Sequence, residues 1–133
     1  EPIILNAHMD TVGQDTGIKP VIKDGVIYSD GTTILGGDDK SGVAVILEVL
    51  RMLQDVPAAE RPALEVLFTV SEEIGLVGAR HFDTAKLAGR RGVVLDEGGP
   101  IGSLVVAAPF QDNHEIRVIG KSSHAGAEPE KGV

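Results

Sequence analysis

The sequence predicts an α/β fold, an open sheet with flanking helices over residues 1–110, followed over residues 111–133 by the start of a second, α+β domain. Three observations predict it. Short β-branched runs that do not alternate recur as far as Ala108, as in strands covered on both faces of a parallel sheet. Between two of them Val43, Ile46, Leu47, Leu50 and Leu53 follow the i, i+3, i+4, i+7 spacing of a helix face, with a second row at Val45, Val49 and Met52. That helix is apolar nearly all round, so burial is expected. Beyond Pro109 the strand pattern turns alternating, which marks a new domain beginning.

In chain order, residues 3–7 form the first strand and run into His8-Met9-Asp10. In extended chain, residues i and i+2 point the same way, so Asp10 can orient the His8 imidazole as the partners of metal-binding histidines do. Val21-Ile22-Lys23 and Val26-Ile27-Tyr28 flank Asp24-Gly25, a strong hairpin signal. Leu35-Gly36-Gly37-Asp38-Asp39-Lys40-Ser41-Gly42 then opens the helix, which reaches about Asp55, and the prolines of residues 56–62 mark a surface connector. Asp38 and Asp39 fall at a helix N-terminus, where acids are favoured by unpaired N–H groups and the positive dipole end. Residues 64–70 form a second strand, followed by Ser71-Glu72-Glu73 and a short helix over 76–82 that Gly78 weakens. Residues 92–96 form a third strand, ending in Asp96-Glu97, and residues 103–108 a fourth. Residues 115–119 alternate as a half-exposed strand, and a loop carrying His124 follows.

Composition narrows the chemistry. There is no cysteine, so any metal must be held by His, Asp and Glu. A net charge of −8 argues against nucleic acid or an anionic membrane as partner, and two divalent cations would offset half of it. No apolar run reaches membrane-spanning length. Each acidic group has an ordinary reading as a helix cap or turn residue. Taken together, Asp10, Asp38, Asp39, Glu72, Glu73, Asp96 and Glu97 all stand where a strand ends or a helix begins. In an open α/β sheet those positions meet along the carboxyl edge, where such folds bind ligands. One imidazole with several carboxylates suits a hydrolytic zinc site, and a pair of metals needs a bridging carboxylate, for which Asp38 is the natural candidate. A phosphate-binding loop is excluded because Asp39 stands where glycine should precede Lys40.

The segments LNAHMDTV, GTTILGGDDKSG, VSEEIGLVGA, VVLDEGGP and GKSSHAGAEPEKGV resemble the successive motifs of the peptidase T, aminoacylase and carboxypeptidase G family of dinuclear zinc exopeptidases, its peptidase-T-like branch above all. The resemblance runs through the whole chain and implies a zinc-exopeptidase-type sheet followed by a lid or dimerisation domain. It implies Asp38 as the bridge between two zinc ions (Zn2+, with Mn2+ or Co2+ as alternatives), His8 and Asp96 as ligands of one metal, and Glu73 as a ligand of the other. Asp10 becomes the partner of His8, Glu72 the general base, and His124 a lid histidine that reaches the substrate carbonyl. The Asp38–Asp39 peptide is often cis in such proteins.

The implied reaction is hydrolysis of the amide bond of short peptides by a water bridging the two zinc ions, in a tripeptide-aminopeptidase-like manner. An N-acyl amino acid amidohydrolase of the same family and a non-catalytic cation-binding domain are the alternatives. The likeness also implies a cytoplasmic enzyme and a homodimer through the lid. A further metal-binding histidine lies beyond these residues in the family, so the 133-residue chain alone is expected to be inactive. Glu97 stands where relatives often have a smaller residue. His81 and His114 match nothing and read as surface or structural.

Overall fold

A computed structural model of the chain describes residues 1–110, 112–117 and 119–132. Two compact units are formed, Glu1–Ile101 and Gly102–Val133. The first holds strands β1 (Ile3–His8), β2 (Pro20–Lys23), β3 (Val26–Ser29), β4 (Leu64–Thr69) and β5 (Arg91–Val94), with helices α1 (Gly37–Met52) and α2 (Val77–His81). A three-stranded sheet has the order β4-β1-β5 and all its pairings are parallel, with His8 opposite Thr69 and Asn6 opposite Val94. The chain leaves β1, returns beside it as β4, and crosses to the other side as β5. The carboxyl end of β1 is therefore flanked by the exits of both neighbours, the crevice position of open parallel sheets. Met9 N–H continues the ladder onto the Thr69 carbonyl (2.9 Å), and Leu95 N–H onto the Asn6 carbonyl (3.0 Å).

β2 and β3 form the expected hairpin, Lys23 paired with Val26. Its two-residue turn works because Asp24 and Gly25 both take positive φ, 52° and 77°. α1 packs on β1, and Ile46 and Ala7 are its fully buried apolar residues. Asp38 and Asp39 have non-helical backbone angles, so the regular helix starts at Lys40, and the Asp39 carboxylate caps it by accepting the Gly42 N–H at 3.0 Å. The Asp38–Asp39 peptide is cis. At α2, Gly78 is required by space. Its N–H meets the Val70 carbonyl at 3.0 Å, and a Cβ there would stand 2.9 Å from the Val70 nitrogen.

Four expectations are corrected. α1 is not buried all round: Val45, Leu47 and Met52 are exposed, because one face alone lies on the sheet. Nor are the sheet strands covered on both faces, since all four residues of β5 are exposed and α1 packs chiefly on β1. Residues 103–108 form no strand. Leu104, Val105 and Val106 are exposed, and a β-prone run without a neighbouring edge has no ladder to join. Of the strand expected over 115–119, Val118 lies outside the described residues, and 115–117 and 119 are not in a strand.

The second unit carries a 3-10 turn at Pro129–Lys131. No helix among the described residues is long and apolar enough to cross a membrane.

Candidate metal centre

His8 ends β1 at the centre of the sheet and is only 2% exposed. Its backbone N–H is given to the Asp39 carboxylate at 3.2 Å. The ring Nδ1 stands 2.9 Å from the Asp10 carbonyl oxygen, which can only accept, so Nδ1 carries the proton. In a neutral ring Nε2 is then a bare lone pair. It faces acids: Asp38 Oδ1 at 2.9 Å, Asp96 Oδ1 at 3.5 Å and Glu72 Oε2 at 3.9 Å. A lone pair aimed at carboxylates calls for a second proton or a cation between them. Burial opposes the charged ring, but the Asp38 hydrogen bond and the charges of Asp96 and Glu72 outweigh it and raise the His8 pKa. Asp96 is raised to about 6, first by burial and then by the negative charges of Asp38 and Asp39, with His8 acting the other way.

The two acids of each pair play different parts. Asp38 is 70% exposed and turned towards His8, whereas Asp39 is 1% exposed with its oxygens on the His8 and Gly42 N–H groups. A Cβ on Gly42 would collide with the Asp39 carboxylate and lie 2.7 Å from the Leu95 carbonyl oxygen, so glycine lets the acid pack there. Across the crevice, Glu72 is 27% exposed beside His8, and Glu73 Oε1 is buried without a hydrogen-bond partner among the described residues. A buried carboxylate oxygen left unpaired is costly unless a cation takes it.

Ligand atoms of His8, Asp38 and Glu73 lie within 4.8 Å of one another, as do those of His8, Asp39 and Asp96. The second group is the weaker donor set, since Asp39 is already engaged by two N–H groups. Imidazole nitrogen with carboxylate oxygens, no sulfur, and an orphaned Glu73 oxygen together fit a divalent cation. A cleft of about 280 Å³ opens onto Asp38, Asp96 and Glu97.

All six site residues expected in the first unit thus meet at one edge: His8, Asp10, Asp38, Glu72, Glu73 and Asp96. Asp10 does so differently from expectation. Its carbonyl holds the imidazole, while its carboxylate, 3.5 Å from Nδ1, accepts the Glu72 and Glu73 N–H groups at 3.0 and 3.2 Å. Burial opposes its ionisation, yet those two N–H groups hold its pKa below the usual carboxylate value. His124 belongs to the second unit, where its Nδ1 accepts the Gly126 N–H at 3.2 Å and its carbonyl those of Ala127 and Glu128. His81 is exposed and bonded to the Val77 carbonyl within α2, in keeping with its reading as a surface or structural residue. Sequence reasoning missed Lys40, whose ammonium donates to the Met9 carbonyl, and the bond by which Asp39, read as a helix cap, also takes the His8 N–H. The spacing of Asp39 to Gly42, an N-cap and its third helical residue, signals the cap alone.

The sequence profile of Peptidase family M20/M25/M40 matches residues 4–120. The chain belongs to this family. It is similar to the uncharacterized protein YqjE of Bacillus subtilis, 42% identical over all of this chain and 36% of that protein. It is also similar to peptidase T of Fusobacterium nucleatum, 34% identical over 93% of this chain and 30% of that one. The crystal structure of aminopeptidase PepT from Bacillus cereus superposes with a TM-score of 0.78 at 44% identity, over 99% of this chain and 35% of the other. The chain is peptidase-T-like and spans about a third of the length of these relatives. His124 lies beyond the matched residues.

Proposed function

We propose that the whole protein hydrolyses the amide bond of short peptides, as an exopeptidase of the tripeptide-aminopeptidase kind holding two divalent cations, zinc foremost. The observation that carries this reading is the convergence of His8, Asp38 and Glu73, with Glu73 Oε1 buried and without a hydrogen-bond partner among the described residues and Glu72 beside His8. The peptidase T and PepT likenesses support the substrate class. Asp38 would be the shared ligand, His8 and Asp96 would complete one cation, and Glu73 would serve the other. Bound there, the cations supply Lewis acidity, polarising the scissile carbonyl and making water acidic.

The remaining work falls to the chain. Glu72, whose carboxylate has only His8 Nε2 at 3.9 Å near it among the described residues, takes a proton from the attacking water and passes it to the leaving amine. His8 keeps Nε2 aimed at the acids because Nδ1–H is tied to the Asp10 carbonyl. His124, its Nδ1 occupied by the Gly126 N–H, has Nε2–H left as a donor for the developing oxyanion, delivered by the lid. A cytoplasmic setting and a lid-mediated homodimer come with the same reading.

Glu72→Gln in the full-length protein tests it. Metal content should stay near that of the unaltered enzyme while kcat falls about 100- to 10,000-fold. Glu73→Gln should instead shed one cation, because a neutral amide is a poorer ligand. Equal metal loss in both variants would refute the division of roles. Faster hydrolysis of N-acyl amino acids than of tripeptides would move the protein to amidohydrolase.

A further inference from the structure

Asp10 is the acid of the carboxyl edge whose carboxylate lies in neither grouping of ligand atoms and is spent on the backbone of the opposite turn. Its two oxygens divide between two consecutive backbone N–H groups, Oδ1 to Glu72 at 3.0 Å and Oδ2 to Glu73 at 3.2 Å. The imidazole it was expected to steer lies farther off, at 3.5 Å, and already has the Asp10 carbonyl at 2.9 Å. Two successive amides can face one carboxylate because Ser71 takes φ 57°, which swings the chain round as it leaves β4. Residues 8–10 are themselves held from three sides: His8 N–H on the Asp39 carboxylate, Met9 N–H on the Thr69 carbonyl, and the Lys40 ammonium on the Met9 carbonyl.

We infer that Asp10 is a positioning residue for the Glu72-Glu73 turn, acting through the two backbone amides and setting the place of both the base and the second-metal ligand, not the orientation of His8. The inference rests on the roles proposed above for Glu72 and Glu73. Because the Asp10 backbone carbonyl is retained in any side-chain variant, the hold on His8 survives when the carboxylate is removed. Loss of the carboxylate therefore strikes one side of the centre only.

Asp10→Asn and Asp10→Ala in the full-length protein test this. Amide hydrogen exchange is followed in metal-free protein, and cation affinity at each step by chelator competition. Exchange at Glu72 and Glu73 should quicken about 10- to 100-fold on losing a charged acceptor. Asparagine should rescue it in part, since its single amide oxygen can still take one N–H. The cation resting on Glu73 should weaken about 10- to 100-fold, the usual cost of removing a ligand's support. The cation resting on His8 should not change, and kcat should fall with KM kept.

Unchanged exchange at those two amides would overturn the inference. So would weakening of the His8-side cation to the same degree, which is the result of an imidazole clamp. Unfolding of both variants would also overturn it, because an anchor confined to one turn does not hold a domain together. If the unaltered protein bound no metal and cut no peptide, the proposed function would fail while the exchange result still decided the anchor.

Discussion

The two adjacent-acid turns of the carboxyl edge solve one problem in different ways. At Asp38-Asp39 the pair divides the work within itself: Asp38 faces the site and Asp39 turns inward to fasten the turn to β1 and α1. At Glu72-Glu73 both side chains are committed to the site, so the fastening comes from Asp10, 62 residues earlier. Carboxylates crowded together repel, and a turn presenting them needs backbone anchorage that does not consume the ligand oxygens. A self-anchored turn depends on its own helix, and a cross-anchored one on the register of the sheet.

The largest effect is expected from breaking the self-anchored turn. Asp39→Ala removes two charge-assisted hydrogen bonds from a buried site, so urea unfolding of the metal-free protein should lose about 3–6 kcal/mol. Asp38→Ala, at an exposed neighbour, should leave that stability within about 1 kcal/mol while reducing cation binding. Equal losses from the two would erase the distinction between anchor and ligand. Gly42→Ala comes next, because its methyl has no room between Asp39 and the Leu95 carbonyl. Overpacking of this kind should cost about 1–3 kcal/mol in the same measurement.

Proton linkage gives a third effect, read by calorimetry after chelation. Asp96, raised to about 6, and His8, also raised, bind protons more tightly folded than unfolded. Their contribution is complete below the unfolded values and is lost as pH rises through the folded ones. The metal-free protein should therefore lose Tm as pH rises from about 5 to about 8, and added zinc should restore it. A rising Tm over that window would mean that the edge acids are not crowded around His8. Asp10 runs the opposite way: its pKa is lowered, so its contribution is present above the unfolded value and disappears as pH falls through the folded one.

The smallest effect sharpens the comparison. At the other end of the sheet Glu65 accepts the Ala88 and Gly89 N–H groups at 3.0 and 2.7 Å, the same device with no site attached. Glu65→Gln should lower Tm slightly and leave metal content and peptide hydrolysis unchanged. A loss of activity there would show that anchorage at either end of the sheet acts on the site.

The sequence by itself determined where elements start and which chemistry they bring. Unalternating aliphatic runs, Asp24-Gly25 and the acids at strand ends are local signals, and β1, the hairpin, β4 and the gathering of His8, Asp38, Glu73 and Asp96 follow from them. Apolar periodicity, however, reports what a segment can bury, not whether a cover is present. Residues 103–108 look like a strand and have no ladder, and α1 looks buried and keeps Val45, Leu47 and Met52 in solvent. Tertiary structure alone decided which acids reach across to anchor another segment and which are left to the site. Those choices depend on N–H groups brought close by the β4-β1-β5 order, the His8 amide for Asp39 and the Glu72 and Glu73 amides for Asp10. Spacing along the chain carries no record of such distances, because a carboxylate's role is set by what else competes for its oxygens.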